Sequence, residues 1–300
     1  MEINYVVLFY NSHSGAGTFG NYLDLVIGKF QNQGLQVLPY KIPFTVEPMV
    51  EFLEALDKDK VKKILVSGGD GSVDLCINAI IRADYHAPVG IFPNGTANDL
   101  GSYLGLPTTV EAMLEVALDD NTVPMDVGRI NDKYYANEAA LGCIIEVAHK
   151  TDQRVKNTLG MMGYYLKALE ELPKIKPFEV TLTYDDVSVS HKIYMMLIMN
   201  GNTAGGFKRI APKASISDGK LDVVVFKECP VLELPALIRG VLRREHIESP
   251  YVDYIRTDAL RVESEKQTVT DIDGDPGPEL PLDVGILPQR LRVCVPKAMR

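Results

Sequence analysis

The sequence predicts an α/β plus β fold in which an N-terminal parallel-sheet domain is followed by an antiparallel β-sandwich domain. In the first part, continuous apolar stretches alternate with helix-like stretches, which is typical of parallel strands covered on both faces. Near Val123 this alternation gives way to paired extended runs joined by tight polar turns, which favours antiparallel strands. A chain of 300 residues with 46% hydrophobic content is long enough to bury two cores.

The elements of the first part follow one another in a βαβ order. The predicted strands cover Tyr5 to Tyr10, Leu35 to Ile42, Lys63 to Ser67 and Val89 to Pro93. The predicted helices cover Phe19 to Gln33, Val46 to Leu56 and Val73 to Ala83. Strands separated by helices in this way are expected to form one parallel sheet.

The second part is mostly extended. The predicted strands are Val127 to Ile130, Tyr134-Tyr135, Val180 to Tyr184, Val187 to Met199, Leu221 to Phe226, Ala259 to Glu263, Thr268 to Ile272 and Leu291 to Val295, with turns at Asn131-Asp132 and Asp185-Asp186. Two helices are predicted, at Gly160 to Leu172 and Leu232 to Arg244. The second has an apolar side formed by Leu234, Leu237, Ile238, Val241 and Leu242. Its arginines, Arg239, Arg243 and Arg244, suit lipid headgroups, although packing against the sandwich explains the apolar pattern equally well.

Charge and cysteine usage restrict the class of protein. A net charge of −9 and a pI near 5.1 argue against general nucleic-acid binding, which depends on a cationic surface. The cysteines, Cys76, Cys143, Cys229 and Cys294, show no CxxC pair and are expected to be buried free thiols. The first residues lack the features of a signal peptide, and no apolar run is long enough to span a bilayer. We therefore expect a cytoplasmic protein.

Two glycine-containing runs carry the strongest functional signal. Val66 to Ser72 and Pro93 to Asp99 each lie between an apolar strand and a helix. Glycines at such a turn permit positive φ and let backbone N–H groups approach a phosphate, and the helix that follows adds the positive end of its dipole. Two such loops at the carboxyl edge of a parallel sheet predict a polyphosphate site.

Further short motifs follow one another along nearly the whole chain. In order, the motifs are Asn11 to Gly17, Gly68 to Ser72, Gly95 to Asp99, Leu104 to Pro107, Asn200-Gly201, Gly205-Gly206, Ala211 to Ala214, Asp218 to Asp222 and Asp273-Gly274-Asp275. Through these motifs, the chain resembles the bacterial diacylglycerol kinase family of soluble lipid kinases, which is related to the sphingosine kinases. The resemblance implies a nucleotide-binding α/β domain over residues 1–124, with a C-terminal return at about 291–300, and a β-sandwich substrate and metal domain over 125–290.

The resemblance also implies ATP and Mg²⁺ as cofactors, a lipid alcohol such as diacylglycerol as substrate, transient contact with a membrane surface, and a possible homodimer. The residues implied to contact the nucleotide are Asn11, Ser14, Gly15, Thr45, Gly68, Gly69, Asp70, Gly71, Ser72 and Thr96. Ser72 is expected to double as a helix N-cap. A second, structural Mg²⁺ is implied at the Asp218 carboxylate and the carbonyls of Ser215 and Lys220; a plain Asp-Gly turn is the alternative.

Two carboxylates are candidates for catalysis. Asp70 would lie beside the triphosphate, where a carboxylate is repelled unless a cation or a hydrogen-bond donor intervenes, so we expect it to act through Mg²⁺ and water. Capping of the next helix is the alternative. Asp275 would be the general base that takes the proton from the acceptor alcohol. The acidic spacing at Asp271, Asp273 and Asp275 also suggests a calcium loop, but Pro276 and the strand-like flanks argue against an EF-hand.

Three residues depart from the family pattern. Ser72 replaces the usual threonine, Asp275 replaces glutamate, and Leu75 stands where the family has a glutamate, which only a neighbouring Asp74 could replace. These departures leave two alternatives open. One is a catalytically impaired nucleotide- or lipid-binding regulatory protein, and the other is phosphorylation of NAD, because NAD kinases share the Gly-Gly-Asp-Gly loop.

Overall fold

The computed structural model describes residues 3–15, 17–142, 176–205 and 207–297. The chain divides into two compact units, the first formed by Met1–Val127 with Pro288–Arg300 and the second by Gly128–Leu287. Cys143 and the helix predicted at Gly160 to Leu172 lie outside the described residues. The other three cysteines are buried free thiols, as expected. No helix in the described ranges is long and apolar enough to cross a membrane.

The first unit is built on a parallel sheet. Its strands are β1 (Asn4–Tyr10), β2 (Leu35–Lys41), β3 (Val61–Gly68) and β4 (Val89–Pro93), and its helices are α1 (Leu23–Gln31), α2 (Glu47–Glu54), α3 (Asp70–Arg82), α4 (Asp99–Tyr103) and α5 (Val110–Leu118). The strands lie in the order β2-β1-β3-β4, and every neighbouring pair is parallel. The predicted parallel sheet is therefore confirmed.

Burial distinguishes the central strands of this sheet from its edge. Val6 to Phe9 in β1 and Ile64 to Val66 in β3 are fully buried, because these strands have neighbours on both sides and helices over both faces. In β2, by contrast, exposed residues alternate with half-buried ones, as suits an edge strand. The helix predicted from Val73 begins earlier, at Asp70, and α5 was not predicted.

The second unit is mainly antiparallel. Its elements are β5 (Thr122–Ile130, which starts in the first unit), β6 (Lys133–Tyr135), β7 (Glu138–Gly142), β8 (Phe178–Tyr184), β9 (Val187–Met199), β10 (Thr203–Ala204), β11 (Phe207–Lys208), β12 (Leu221–Lys227), α6 (Leu234–Arg243), β13 (Val252–Thr257), β14 (Ala259–Glu263), β15 (Thr270–Ile272), β16 (Asp275–Pro276) and β17 (Leu282–Cys294, which ends in the first unit). The strand pairs β8–β9, β9–β12, β12–β13, β8–β14 and β7–β15 are all antiparallel.

Two apolar clusters cover opposite faces of β12. Val223 and Val225 belong to one cluster, whereas Val224 and Phe226 belong to the other. This alternation follows from the two-residue period of a strand. The first cluster is shared with strands β8, β9, β14 and β17, and the second is covered by α6. The antiparallel sandwich predicted for this half is confirmed.

The turn between β8 and β9 shows how local sequence determines the pairing. Asp185 and Asp186 both have positive φ, 47° and 62°, and they join Tyr184 directly to Val187 in the strand pair. A two-residue loop with two positive φ angles matches the twist of the flanking strands. The turn predicted at these residues is thus confirmed.

Candidate functional site

Three loops of the first unit meet at one edge of its sheet. They follow β1, β3 and β4, which are adjacent parallel strands and therefore end at the same edge. The backbone N–H of Asn11 donates to the carbonyl of Ser67 (2.8 Å), and that of Asn94 donates to the carbonyl of Gly68 (2.8 Å). These bonds join the start of each outer loop to the end of the central strand.

The first loop is linked to both of the others by asparagine side chains. The Asn11 amide donates to the Ser72 hydroxyl (3.0 Å), and the Asn94 amide donates to the carbonyl of Ser14 (3.4 Å). Gly15 has a φ of +58°, and a Cβ added there would lie 2.7 Å from the Asn94 carbonyl oxygen. The loop therefore requires glycine at this position. Asn11, Ser14, Gly15 and Ser72, four of the predicted nucleotide contacts, are thereby brought together.

The second and third loops approach each other at their glycines. A Cβ added to Gly95, in the third loop, would lie 2.4 Å from Gly69 Cα, in the second. Within the second loop, a Cβ added to Gly68 would lie 2.3 Å from the Cβ of Ser72. A side chain does not fit at Gly68 or Gly95, so the second and third loops approach each other through their backbones. Gly69 is the N-cap of α3, and Ser72 lies inside its first turn. The expectation that Ser72 caps this helix is wrong, because α3 begins at Asp70.

Asp70 links the second loop to the third by its side chain. Its Oδ1 accepts the backbone N–H of Asp99 (2.9 Å), the first residue of α4. Burial raises the pKa of Asp70, and hydrogen bonds from the backbone N–H groups of Asn98, Asp99 and Leu100 oppose that rise. The alternative role expected for Asp70, capping of the next helix, is therefore wrong for α3, because Gly69 is its N-cap and Asp70 its first residue. The carboxylate instead accepts a backbone N–H at the start of α4.

The third loop is held by its own asparagine. Asn98 has a φ of +49°; its Oδ1 accepts the Gly95 N–H (2.7 Å), and its amide donates to the Gly95 carbonyl (2.9 Å). Thr96, between them, is exposed at the sheet edge. Thr45 follows β2, the neighbouring strand, and its side chain hydrogen-bonds Glu47 at the start of α2. The structure thus gives Thr45 a local partner outside the three loops.

Helix α3 contains the position at which the family has a glutamate and this chain has Leu75. Leu75 is half-buried there, and the carboxylate of Asp74 accepts a hydrogen bond from the Asn78 amide one turn further on (3.2 Å). The same amide also donates to the Asp74 carbonyl (2.9 Å). Because Asp74 is buried and bound within its own helix, its observed contacts do not support replacement of the absent glutamate.

Asp275, the predicted general base, lies in the second unit on a tight turn. Ile272 and Asp275 pair across this turn, and Asp275 is exposed to solvent. The residue before the turn glycine, Asp273, is buried with a φ of +48°. The Asp271 Oδ1 accepts the N–H of Gly274 (2.9 Å). The acidic spacing that suggested a calcium loop is thereby explained by hydrogen bonds of the turn.

Asp273 is a residue whose role the sequence interpretation missed. Its two carboxylate oxygens accept the backbone N–H groups of Ala136 (2.7 Å), Asn137 (3.2 Å) and Glu138 (2.8 Å), and its own N–H donates to the Glu138 carbonyl (3.0 Å). The turn that carries Asp275 is thus attached to the start of β7. The Asp-Gly-Asp motif contained the signal, but the partners lie more than 130 residues away along the chain.

The predicted structural Mg²⁺ site does not fit the arrangement around Asp218. One oxygen of this carboxylate accepts the Lys220 N–H (3.0 Å), and the other pairs with the guanidinium of Arg256. Arg256 Nε also lies 3.2 Å from the fully buried Asp222. Asp218 therefore already has a cationic partner, and we derive no role for a metal ion at Ser215, Asp218 and Lys220. Among the described residues, no group of three or more His, Cys, Asp or Glu side chains could hold a metal ion.

Comparison with known proteins agrees with both units. Residues 5–130 match the model of the diacylglycerol kinase catalytic domain, and residues 141–295 match the YegS C-terminal NAD kinase beta sandwich-like domain. A diacylglycerol kinase of Staphylococcus carnosus is 30% identical over 98% of this chain and 95% of its own length. One from Bacillus subtilis is 29% identical over 97% and 96%.

A solved structure shows the same fold. The crystal structure of a diacylglycerol kinase from Bacillus anthracis superimposes with a TM-score of 0.81 over 100% of both chains, at 22% sequence identity. At that identity the similarity concerns the fold alone. The family models and the curated relatives provide the assignment. The chain belongs to the diacylglycerol kinase family of lipid kinases.

Proposed function

We propose that this protein transfers the γ-phosphoryl group of ATP to the hydroxyl of a lipid alcohol such as diacylglycerol. The observation that carries the proposal is the meeting of three glycine-containing loops at one sheet edge, with Gly95 too close to Gly69 to carry a side chain. Backbone amides at such an edge, next to the N-terminus of α3, suit a triphosphate. The names of the curated relatives support the lipid acceptor.

The nucleotide would be held by residues of all three loops. In this proposal, the phosphates contact Asn11, Ser14, Gly15, Gly68, Gly69, Gly71, Ser72 and Thr96, and Thr45 lies near the nucleotide. Asp70, which is half-buried, and Asp99, which is buried, carry the oxygen donors that Mg²⁺ prefers. When bound, Mg²⁺ would offset the charge that builds up on the phosphate oxygens. A bound cation would oppose the effect of burial, which raises the pKa of Asp70.

The proton transfer is assigned to Asp275. Its carboxylate takes the proton from the lipid hydroxyl, the alcohol oxygen bonds to the γ-phosphorus, and the bond from that phosphorus to the bridging oxygen breaks, which releases ADP. The exposure of Asp275 at the tip of a turn supports this role, because the group can reach a substrate. Contact with a membrane surface, a cytoplasmic location and a homodimer belong to the same proposal.

Transfer of label from γ-labelled ATP is the test. The protein is incubated with Mg²⁺ and, separately, with diacylglycerol, other lipid alcohols in mixed micelles, and NAD. Labelled lipid supports the proposal and identifies the acceptor class. Labelled NAD in place of lipid overturns it. ATP binding without any labelled product would favour the regulatory alternative, which rests on Leu75 and Asp275.

A further inference from the structure

A buried asparagine, Asn137, lies between β6 and β7 and bonds three separate segments of the second unit. It is only 4% exposed. Its backbone N–H donates to a carboxylate oxygen of Asp273 (3.2 Å). Its backbone carbonyl accepts the N–H groups of Asn200 (2.8 Å) and Gly201 (3.2 Å), which directly follow β9. Its side-chain amide donates to the carbonyl of Thr203 (2.7 Å), the first residue of β10. One residue therefore joins a turn, the end of a strand and the start of a hairpin.

A second asparagine completes this arrangement from the opposite direction. Asn200 is fully buried, and its side-chain amide donates to the carbonyl of Ala136 (2.7 Å). Each of the two asparagine side chains thus bonds the backbone beside the other asparagine. Ala136 and Asn137 belong to no strand, so their backbone is held by these bonds and by those to the carboxylate of Asp273.

The same short segment carries the turn of the proposed base. The Asp273 carboxylate accepts three backbone N–H groups of the segment from Ala136 to Glu138. Asp275 lies two residues beyond Asp273 and is exposed at the tip of the turn, so its position depends on how the turn is attached. The side chains that hold Ala136 and its neighbour therefore also determine where the carboxylate of Asp275 lies.

One atom of Asn137 argues against a role in stability alone. Its Oδ1 is buried and accepts no hydrogen bond from the residues that the structure describes. The amide cannot be turned round, because Nδ2 is the donor to the Thr203 carbonyl. A buried acceptor without a donor destabilises a fold, so stability does not favour asparagine here. A side chain that sets geometry while it weakens the fold is typical of a functional site.

We propose that Asn137 is a positioning residue for Asp275, with Asn200 as its reciprocal partner. Asn137 makes the Asp275 turn and the hairpin of β10 and β11 move as one body, so the carboxylate keeps one position for the incoming lipid hydroxyl. The inference rests on the proposed function, because Asp275 has a role in turnover only if it receives the proton of that hydroxyl. It extends that function to buried side chains that act through the base.

Hydrogen–deuterium exchange of the full chain tests the coupling without any turnover. Asn137→Leu keeps the size of the side chain but removes the amide donor and the unpartnered oxygen together. We expect amide exchange to become about tenfold faster or more in both coupled segments, residues 200–204 and 270–276. The matched control is Asn121→Leu, because Asn121 is a buried asparagine of the first unit whose amide donates to the carbonyl of Val295 (2.9 Å). This control should leave exchange in both segments unchanged.

A double-mutant cycle then tests whether Asn137 acts through Asp275. Phosphorylation of diacylglycerol is measured below the unfolding midpoints, with Asn137→Leu introduced into the wild type and into Asp275→Asn. In the wild type, kcat should fall by about tenfold or more while the KM for ATP stays unchanged, since the phosphate loops belong to the first unit. In Asp275→Asn the same change should have no further effect, because the base that it positions is already lost. Asn121→Leu should retain the wild-type kcat.

The outcomes separate this inference from the proposed function. Wild-type exchange of either segment in Asn137→Leu overturns the coupling, and an equal fall of kcat in both backgrounds overturns the positioning role. If Asn137→Leu does not fold, Asn137→Asp serves in both measurements, because it keeps the size but turns an oxygen toward the Thr203 carbonyl in place of the amide. If the wild type labels no lipid, the proposed function fails. If the wild type labels lipid and Asn137→Leu keeps its kcat, only the positioning role fails.

Discussion

Replacement of Asp273 by alanine removes the acceptor of three backbone N–H groups at the start of β7. These N–H groups, from Ala136, Asn137 and Glu138, lie 2.7 to 3.2 Å from the carboxylate, which is only 8% exposed. Hydrogen bonds to a charged group contribute about 1.5–3 kcal/mol each, and they are not additive. We therefore expect Asp273→Ala to lower the free energy of unfolding by about 3–5 kcal/mol, at the upper end for one substitution.

The same change should affect turnover more than its stability effect explains. Asp273 fixes the turn that presents Asp275, two residues further on. A displacement of about 1 Å at a reacting group costs on the order of 10²-fold in rate. Asp273→Asn retains one acceptor oxygen but points an amide N–H₂ at a backbone N–H, so it should fall between alanine and the wild type in both measurements.

Thermal unfolding followed by circular dichroism and a lipid-phosphorylation assay below the unfolding midpoint measure the two effects. At about 2–4 °C per kcal/mol, the midpoint of Asp273→Ala should fall by roughly 10 °C. Asp283→Asn is the control, since Asp283 is an exposed carboxylate that pairs with Arg261 at the surface, where such pairs contribute less than about 1 kcal/mol. If Asp273→Ala had the same unfolding midpoint and the same kcat as the wild type, the assigned role of Asp273 would be refuted.

Three other substitutions test the first unit and the site around Asp218. Gly95→Ala should abolish ATP binding measured by calorimetry, because its Cβ would lie 2.4 Å from a neighbouring loop, whereas Gly28→Ala meets no atom within 4 Å and should bind ATP normally. Asp70→Asn should lower turnover by on the order of 10²-fold yet raise the unfolding midpoint of the free protein. Because burial raises the pKa of Asp70, its ionised carboxylate destabilises the fold at pH values above that pKa. Acidification through this pKa should therefore raise the midpoint of the wild type but not that of Asp70→Asn. Arg256→Gln should lower the midpoint, and EDTA should leave the wild-type midpoint unchanged, because the cation on Asp218 is an arginine.

Local chemistry explains what the sequence could predict. The loop glycines and the two-residue turn at Asp185-Asp186 act within a few residues, and continuous burial in β1 and β3 follows from composition. The parallel order of the first unit follows from alternation of strand and helix. These features need no knowledge of distant partners.

Long-range contacts explain what the sequence could not predict. The carboxylate of Asp70 bonds a backbone N–H 29 residues away, and that of Asp273 bonds N–H groups more than 130 residues away. Helical periodicity identified an apolar side of α6 but could not say that Leu242 falls outside the buried cluster. The last strand was predicted only from Leu291 but begins at Leu282, because Gly285 and Pro288 interrupt its sequence pattern.

The most direct test compares wild type and Asp275→Asn for transfer of label from γ-labelled ATP to diacylglycerol in the presence of Mg²⁺. We expect labelled lipid with the wild type and a loss on the order of 10²-fold or more with the variant, with ATP binding retained. No labelled lipid from the wild type, or equal turnover by the two proteins, would contradict the proposed phosphoryl transfer with Asp275 as its base.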